Sequence, residues 1–274
     1  MHESLRVGPG FELASVDPGS TPGVKFGKAR GSALLAERVA ELAELQERLF
    51  AESRFGATRS VLLVLQAMDT AGKGGILAHV FGGLNPQGMM IHSFKAPTDE
   101  EKAHDFLWRI RRELPQAGFL GVFDRSHYED VLIHRVRKFS TPEAIESRYG
   151  VINEFEDSLV RGGTTVIKVM LHISPEEQKA RLAARLADPT KQWKYNPGDV
   201  DERLLWPDYM EAYQIALART STALASWHVV PADHKWYARL AVQTLMLDAL
   251  RGLDPQWPRP GYDVGVEQAR VAAS

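Results

Sequence analysis

The sequence contains no cysteine, which excludes disulfides and thiolate metal sites. No apolar run approaches the length of a membrane-spanning helix. The opening segment MHESLRVGPGFELASVDPGS lacks the apolar core of a signal peptide. The expected location is therefore cytoplasmic, with no membrane partner. Strong charge of one sign is missing as well: the formal net charge is −2. A general nucleic-acid binder is usually basic overall, so nucleic acid is not an expected partner. A polyanionic ligand would have to be held by local clusters of Lys and Arg. None of the nine histidines falls in an HExxH or similar spacing, which argues against zinc. Internal repeats and interdomain linkers are also missing.

What is present is an alternation of two periodicities. Residues 1–31, rich in Gly, Pro and Ser, read as an extended or poorly ordered arm. Residues 32–53 carry apolar side chains at helical spacing and predict one packing helix. Strands are predicted at 60–66, 89–94, 118–124, 164–173 and 227–230. Between them, Thr98 and Glu101 form a capping-box pattern that starts a helix through Leu114. Pro142 and Pro175 sit at first helical positions. Asp199 and Glu202 predict a capped helix running through WPDYMEAYQIAL, and a last long helix covers 235–252. Strands alternating with helices imply a parallel sheet covered on both faces. The polar, basic and aromatic stretch 188–199 is either a structural loop or a mobile lid.

The chemistry concentrates where the first strand runs into LQAMDTAGKGG. Strand, glycine-rich loop and helix in that order suit phosphate binding. Backbone amides around Ala71, Gly72, Gly74 and Gly75 can face phosphate oxygens. Lys73 supplies a point charge for the transferring group. The loop departs from G-x-x-x-x-G-K-[ST] twice: Ala67 replaces the first glycine, and Gly74 stands where a hydroxyl would bind Mg²⁺. A carboxylate inside the loop repels phosphate unless a cation lies between them. Asp69 is thus a candidate metal ligand or acceptor-positioning base. The bland alternative is a glycine-rich turn with an Asx-type side chain.

The third strand ends in Asp124-Arg125, at the usual ligand edge of an open α/β sheet. Asp124 is the counterpart of the acid that helps hold Mg²⁺ in phosphate-loop enzymes, and Arg125 can offset phosphate charge. A helix cap followed by a surface charge would also explain the pair. Lys95 ends the second strand at the same edge. Further basic residues follow: Arg135, Arg137 and Lys138, then Arg181, Arg185, Lys191 and Lys194. Each alone suits a solvated face; as a set they could line a groove for a long polyanion. Trp206, Tyr209 and Tyr213 have helical spacing and read as core, whereas Trp193 and Tyr195 could stack on a base.

With these residues in view, the chain resembles the polyphosphate kinase 2 family. The resemblance is carried by LQAMDTAGKGG, LNPQGMMIHSFKAPT, HDFLWRIRRELP, FDRSHYEDVLIHRV, LHISPEEQKARLAARLADPTKQWK and VVPADHKW, and covers almost all of the chain beyond the first few dozen residues. It implies an α/β, phosphate-loop kinase-like three-layer sandwich similar to thymidylate kinase, with a central parallel sheet of about five strands and a helical lid over 180–207. Residues 32–274 would then form a single phosphate-loop kinase domain with an N-terminal helix. The resemblance also implies Mg²⁺, with Mn²⁺ as an alternative, and a polyphosphate chain in a basic channel. Asp69 and Asp124 would organise metal and acceptor phosphate, while Lys73, Arg125 and Arg185 contact phosphates at the transfer point. Lys95, Arg135, Lys138 and Lys191 are the expected phosphate-binding cations. SHYED, with Glu129, resembles the subgroup that accepts both nucleoside mono- and diphosphates, although members of that subgroup often carry Asn where this chain has Asp124. Homodimers or homotetramers are implied.

The expected activity is Mg²⁺-dependent in-line phosphoryl transfer between inorganic polyphosphate and purine nucleotides, ADP or AMP, or GDP or GMP. The nearest rival is an ATP-dependent nucleoside monophosphate kinase, against which Gly74 counts. A non-catalytic polyphosphate- or nucleotide-binding module is the other.

Overall fold

The computed structural model describes residues 2–274. Strand β1, Ser60–Ala67, is buried along all eight residues, as expected for a strand covered on both faces. It lies between β3 (Leu120–Asp124) and β4 (Thr164–His172), with β2 (Met89–Ser93) and β5 (Trp227–Pro231) at the edges. The order is β2-β3-β1-β4-β5 and every pairing is parallel. In register, Leu65 pairs with Asp124 and Ala67 with Leu171. Strands β1 and β4 therefore end within one residue of each other, and β3 ends two residues short of β1. The chain crosses β1 between β3 and β4, so the sheet reverses its winding there, where open α/β sheets place ligands.

Among the described residues, beside a shorter turn at Trp108–Arg112, nine helices have six residues or more. They are α1 (Lys28–Glu37), α2 (Val39–Ser53), α3 (Lys73–Val80), α4 (Pro142–Arg161), α5 (Pro175–Ala187), α6 (Gly198–Arg203), α7 (Trp206–Thr220), α8 (Lys235–Leu253) and α9 (Val264–Ala272). Helix α8 packs with α1, α2 and α3, and α4 packs with α7, giving flanking layers around the sheet. Helices α1 and α8 approach closely at Gly31, where a Cβ would lie 2.3 Å from the Trp236 ring. The hydroxyls of Thr141 and Ser174 accept from Ala144 N and Glu177 N, so both Pro-initiated helices are capped as their sequences imply.

Several boundaries differ from the sequence reading. The helix expected over 32–53 is two, broken at Arg38, whose guanidinium donates to Thr244 Oγ1 on α8 at 3.1 Å. The Thr98–Glu101 capping box forms, but its helix stops at Lys102. Asp105 then accepts from Leu107 N at 3.1 Å and starts the separate turn Trp108–Arg112. That break lets Arg109 reach back to the Lys95 carbonyl at 2.8 Å. Asp199 does not cap α7; it lies inside the short helix α6, which Asn196 opens by accepting from Gly198 N. Helix α9 was not foreseen.

The arm read as extended or poorly ordered packs on the domain over its described residues. Leu5, Val7 and Leu13 are buried. Val7 N donates to Trp227 O at 2.8 Å and Arg6 bridges His228, so the arm covers the β5 edge. Gln214 of α7 clamps it by accepting from Leu13 N and donating to Phe11 O.

One charged cluster lies wholly inside. Lys168, in the middle of β4, has 0% exposure. Its ammonium donates to Glu156 (2.5 Å), Tyr128 Oη (2.9 Å) and Thr220 O (2.6 Å). Glu156 also accepts from Tyr128 Oη at 2.8 Å and meets His127 Nε2 at 3.1 Å. The carboxylate, though buried, is held below its ordinary value: burial raises it, and Lys168 and His127 together pull it down further. This network clamps the turn His127–Asp130, which leads out of β3.

Candidate active site

The loop after β1 turns through two left-handed residues before α3 begins. Thr70 has φ 64° and Gly72 has φ 122°. Glycine tolerates that angle; threonine adopts it at a cost of order 1–3 kcal/mol. Arg125, after β3, is also left-handed at φ 65°. Left-handed residues that carry side chains thus follow both of these adjacent strands. The strain has a visible support. Arg181 of α5 is 7% exposed, and its guanidinium donates to the carbonyls of Thr70, Ala71, Ala232 and Asp233 while pairing with Glu177. Gln178 donates to Asp69 O at 3.1 Å. The first two turns of α5 therefore brace the loop. The sequence offered Arg181 as a groove-lining cation; its hydrogen bonds are spent on loop carbonyls.

Asp69, Lys73, Asp124, Arg125 and Glu129 come together at this point. Arg125 Nη2 donates to Asp69 Oδ1 at 3.0 Å. Lys73 Nζ lies 3.9 Å from Asp124 Oδ1 and 3.4 Å from Ala67 O. Burial pulls the Arg125 guanidinium down, but Glu129, Asp69 and Asp124 outweigh it and leave it firmly charged. Burial pushes Glu129 up, opposed by Arg125, Lys73 and Gln66.

Two cavities flank the loop, and their charges differ. The first, of about 270 Å³, is lined by Thr70, Ala71, Gly72 and Gly75 on the loop side. Its other wall carries Arg181, Arg185, Lys191, Lys194, Lys235 and Arg239, with no acid. Burial and neighbouring Arg181 depress both Lys235 and Arg239, the signature of like charges crowded together. The second cavity, of about 210 Å³, lies beside Asp69, Arg125 and Glu129, and is closed by Asn196, Asp199, Glu202, Tyr209 and Tyr213. Asp199 is raised by burial and by Asp69. Arg185 lines the first cavity yet lies 3.5 Å from Asp199, which lines the second, so the pair spans the divide. Arg137 and Tyr209 both donate to Glu202, at 2.7 and 2.5 Å, tying α6 to the body.

Not every expected cation reaches a cavity. Lys191 does, although it also pairs with Asp188 at 2.6 Å. Lys95 is exposed and lines neither cavity. Arg135 is half-buried and Lys138 exposed, and they too line neither. Gly74 faces open space. Trp193 is 78% exposed beneath the Lys194 ammonium and lines neither cavity. Tyr209 and Tyr213, read as core, are buried and also form cavity wall. Lys235 and Arg239 were missed. Their signal was present: they are four apart at the start of a helix that follows a strand's carboxyl end.

Among the described residues no group of three or more His, Cys, Asp or Glu side chains could hold a metal. The donor set nevertheless suits Mg²⁺, which is usually held by one or two carboxylates with phosphate oxygens and water completing its shell. Asp69 and Asp124 supply two carboxylates, and Asp124 Oδ1 is buried without a hydrogen-bond partner. A second buried orphan, Thr70 Oγ1, lies in the loop itself.

The left-handed loop after β1, the acid–arginine pair at the end of β3 and the basic residues carried by α5 and the segment after it surround the candidate site of a phosphotransferase. Residues 25–258 match the family described as Polyphosphate kinase 2, and the chain belongs to that family. It is 44% identical over 250 residues to an AMP/ADP-polyphosphate phosphotransferase of Meiothermus ruber, covering 91% of this chain and 92% of that one. It is 42% identical to an ADP-polyphosphate phosphotransferase of Rhodopseudomonas palustris, over 82% of this chain and 81% of the relative. The crystal structure of polyphosphate kinase 2 from Arthrobacter aurescens superposes with a TM-score of 0.98 at 60% identity, covering 100% of this chain and 96% of the other.

Proposed function

We propose that this chain transfers a terminal phosphoryl group between inorganic polyphosphate and ADP or AMP, or GDP or GMP, with Mg²⁺ and with each substrate on its own side of the loop. The observation that carries this reading is the opposite character of the two cavities. A wall whose charged side chains are all cationic suits a polyanion whose phosphates are identical along its length. A mixed wall of carboxylates, tyrosines and an amide suits a nucleotide brought in as a metal complex. An adenosine carried by a donor nucleotide would find no aromatic or amide group in the cationic cavity, which is why ATP is the weaker donor candidate.

In the forward direction the terminal phosphate oxygen of the acceptor attacks the terminal phosphorus of polyphosphate. A P–O bond forms, the bridging P–O bond breaks, and the shortened polyphosphate leaves with the electron pair. The nucleophile is already anionic, so positioning and charge neutralisation supply the catalysis. Lys73 and the loop amides of Ala71, Gly72, Gly74 and Gly75 hold the transferring group. Arg125, oriented by Asp69, meets the acceptor phosphate, and Arg185 and Lys191 meet the donor. Asp69 and Asp124 would hold Mg²⁺ (or Mn²⁺), which when bound offsets the charge of two approaching polyanions. Glu129 sets acceptor selectivity. Closure of the flap over 180–207 excludes water, since hydrolysis competes.

The apolar side chains exposed along α9, Val264, Val266 and Val271, suit a homodimer or homotetramer. A cytoplasmic setting fits the nucleotide acceptor and the cysteine-free sequence. Product analysis with AMP, ADP and GDP, offered polyphosphate or ATP as donor, tests the assignment. Polyphosphate should be the better donor; a preference for ATP would overturn it. Asp69→Asn and Lys73→Ala should each abolish most turnover with circular dichroism unchanged.

A further inference from the structure

Strand β1 is apolar along its interior except for Gln66, which has 0% exposure. A fully buried amide must find partners, or it destabilises the strand that carries it. With its nitrogen toward Glu129, the amide donates to Glu129 Oε1 at 3.0 Å and its oxygen accepts from Ser126 N and Oγ, each at 3.1 Å. The opposite orientation sets carbonyl against carboxylate and leaves only a contact to Ser126 Oγ. Ser126 Oγ in turn accepts from Tyr128 N at 3.2 Å. One side chain thus links the strand that leads to Asp69 with the turn that presents Arg125 and Glu129. Gln66 lines neither cavity.

We propose that Gln66 is a positioning residue for the acceptor half of the site, fixing the Glu129 carboxylate by donating to one oxygen and leaving the other for the acceptor cavity. The residue type follows from the geometry. Glutamate offers no donor to Glu129, leucine leaves Ser126 N and a carboxylate oxygen unpaired, and asparagine falls one methylene short. The effect belongs to the acceptor, because the hydrogen bonds end on Ser126 and Glu129 while the donor cavity is built from the other side of the loop.

The inference rests on Glu129 serving the acceptor site. Steady-state kinetics of Gln66→Leu should show kcat/KM for ADP lowered about tenfold or more, the scale of one hydrogen bond to a charged group, with KM for polyphosphate unchanged. In a Glu129→Gln background the same substitution should cost less than about threefold, because the carboxylate it positions is gone. Gln66→Asn, the milder change, should reproduce the acceptor-selective loss if the leucine variant does not fold. Equal losses in both backgrounds, or a parallel rise in KM for polyphosphate, would mean that Gln66 merely stabilises β1 and would overturn the proposal. A wild-type enzyme inactive with polyphosphate would instead refute the functional reading.

Discussion

Replacing Glu156 by leucine removes the carboxylate facing Lys168 and leaves an ammonium in a site with 0% exposure. Lys168 keeps its bonds to Tyr128 Oη and Thr220 O but loses the charge that justifies its burial. Breaking a buried pair from one side costs about 3–5 kcal/mol, a large part of a total stability of about 5–15 kcal/mol. At about 2–4 °C per kcal/mol for a chain of this order of size, Tm should fall by about 6–20 °C. The double variant Glu156→Leu/Lys168→Met removes both charges and fills similar volume. Tyr128 Oη then retains Thr220 Oγ1 at 3.1 Å, and most of the loss should be recovered, since apolar replacement of a whole buried pair is often neutral or better. Urea unfolding followed by circular dichroism, with scanning calorimetry, measures both. A single variant within about 1 kcal/mol of wild type would refute the account, as would a double variant no better than the single.

Three further outcomes are expected. Burial, then His2, pushes His228 down to about 4, so the folded protein keeps it neutral while the unfolded chain takes up a proton near its ordinary 6.5. Its contribution is complete above pH 6.5 and is lost as pH falls to about 4, amounting to about 3 kcal/mol; the stability difference between wild type and His228→Gln should shrink by that amount over this range in pH-dependent urea unfolding, and a constant difference would contradict it. Arg239→Ala and Lys235→Ala should each raise KM for polyphosphate about tenfold with KM for ADP little changed, and added salt should weaken polyphosphate binding in the wild type; a salt-independent KM would count against the cationic cavity. Arg181→Lys should be nearly as damaging to kcat and Tm as Arg181→Ala, because an ammonium cannot span the four carbonyls that the planar guanidinium reaches.

The strands and the loop were legible because their signals are local. A continuous apolar run that ends in glycines has few other readings, and Thr141-Pro142 and Ser174-Pro175 announce their helices in three residues. The helix breaks at Arg38 and Ala103 were not legible, since the contacts that go with them, Arg38 to Thr244 and Arg109 to the Lys95 carbonyl, are with remote or backbone partners. The site divides in the same way. Asp69, Lys73, Asp124 and Arg125 stand at strand ends, where position implies use. Arg181 has the composition of a surface cation and only its tertiary partners make it a brace. Tyr209 and Tyr213 satisfy a core pattern and a cavity wall at once, because the second cavity is cut into the edge of the core. Gln66 carries no periodic signal; its meaning depends on a turn sixty residues later.

The Arg181 brace also determines which part of the machine can travel. Four carbonyls from two loops hold the root of α5, so any swing of the flap has to pivot beyond that residue. Arg185, Lys191 and Lys194 lie outboard of the pivot, and the loop amides lie inboard. On the proposed reading, the loop that cradles the transferring phosphate would keep its shape as the flap moves, because Arg181 holds its carbonyls. On that same reading, closing would bring charge to a seat that is already formed.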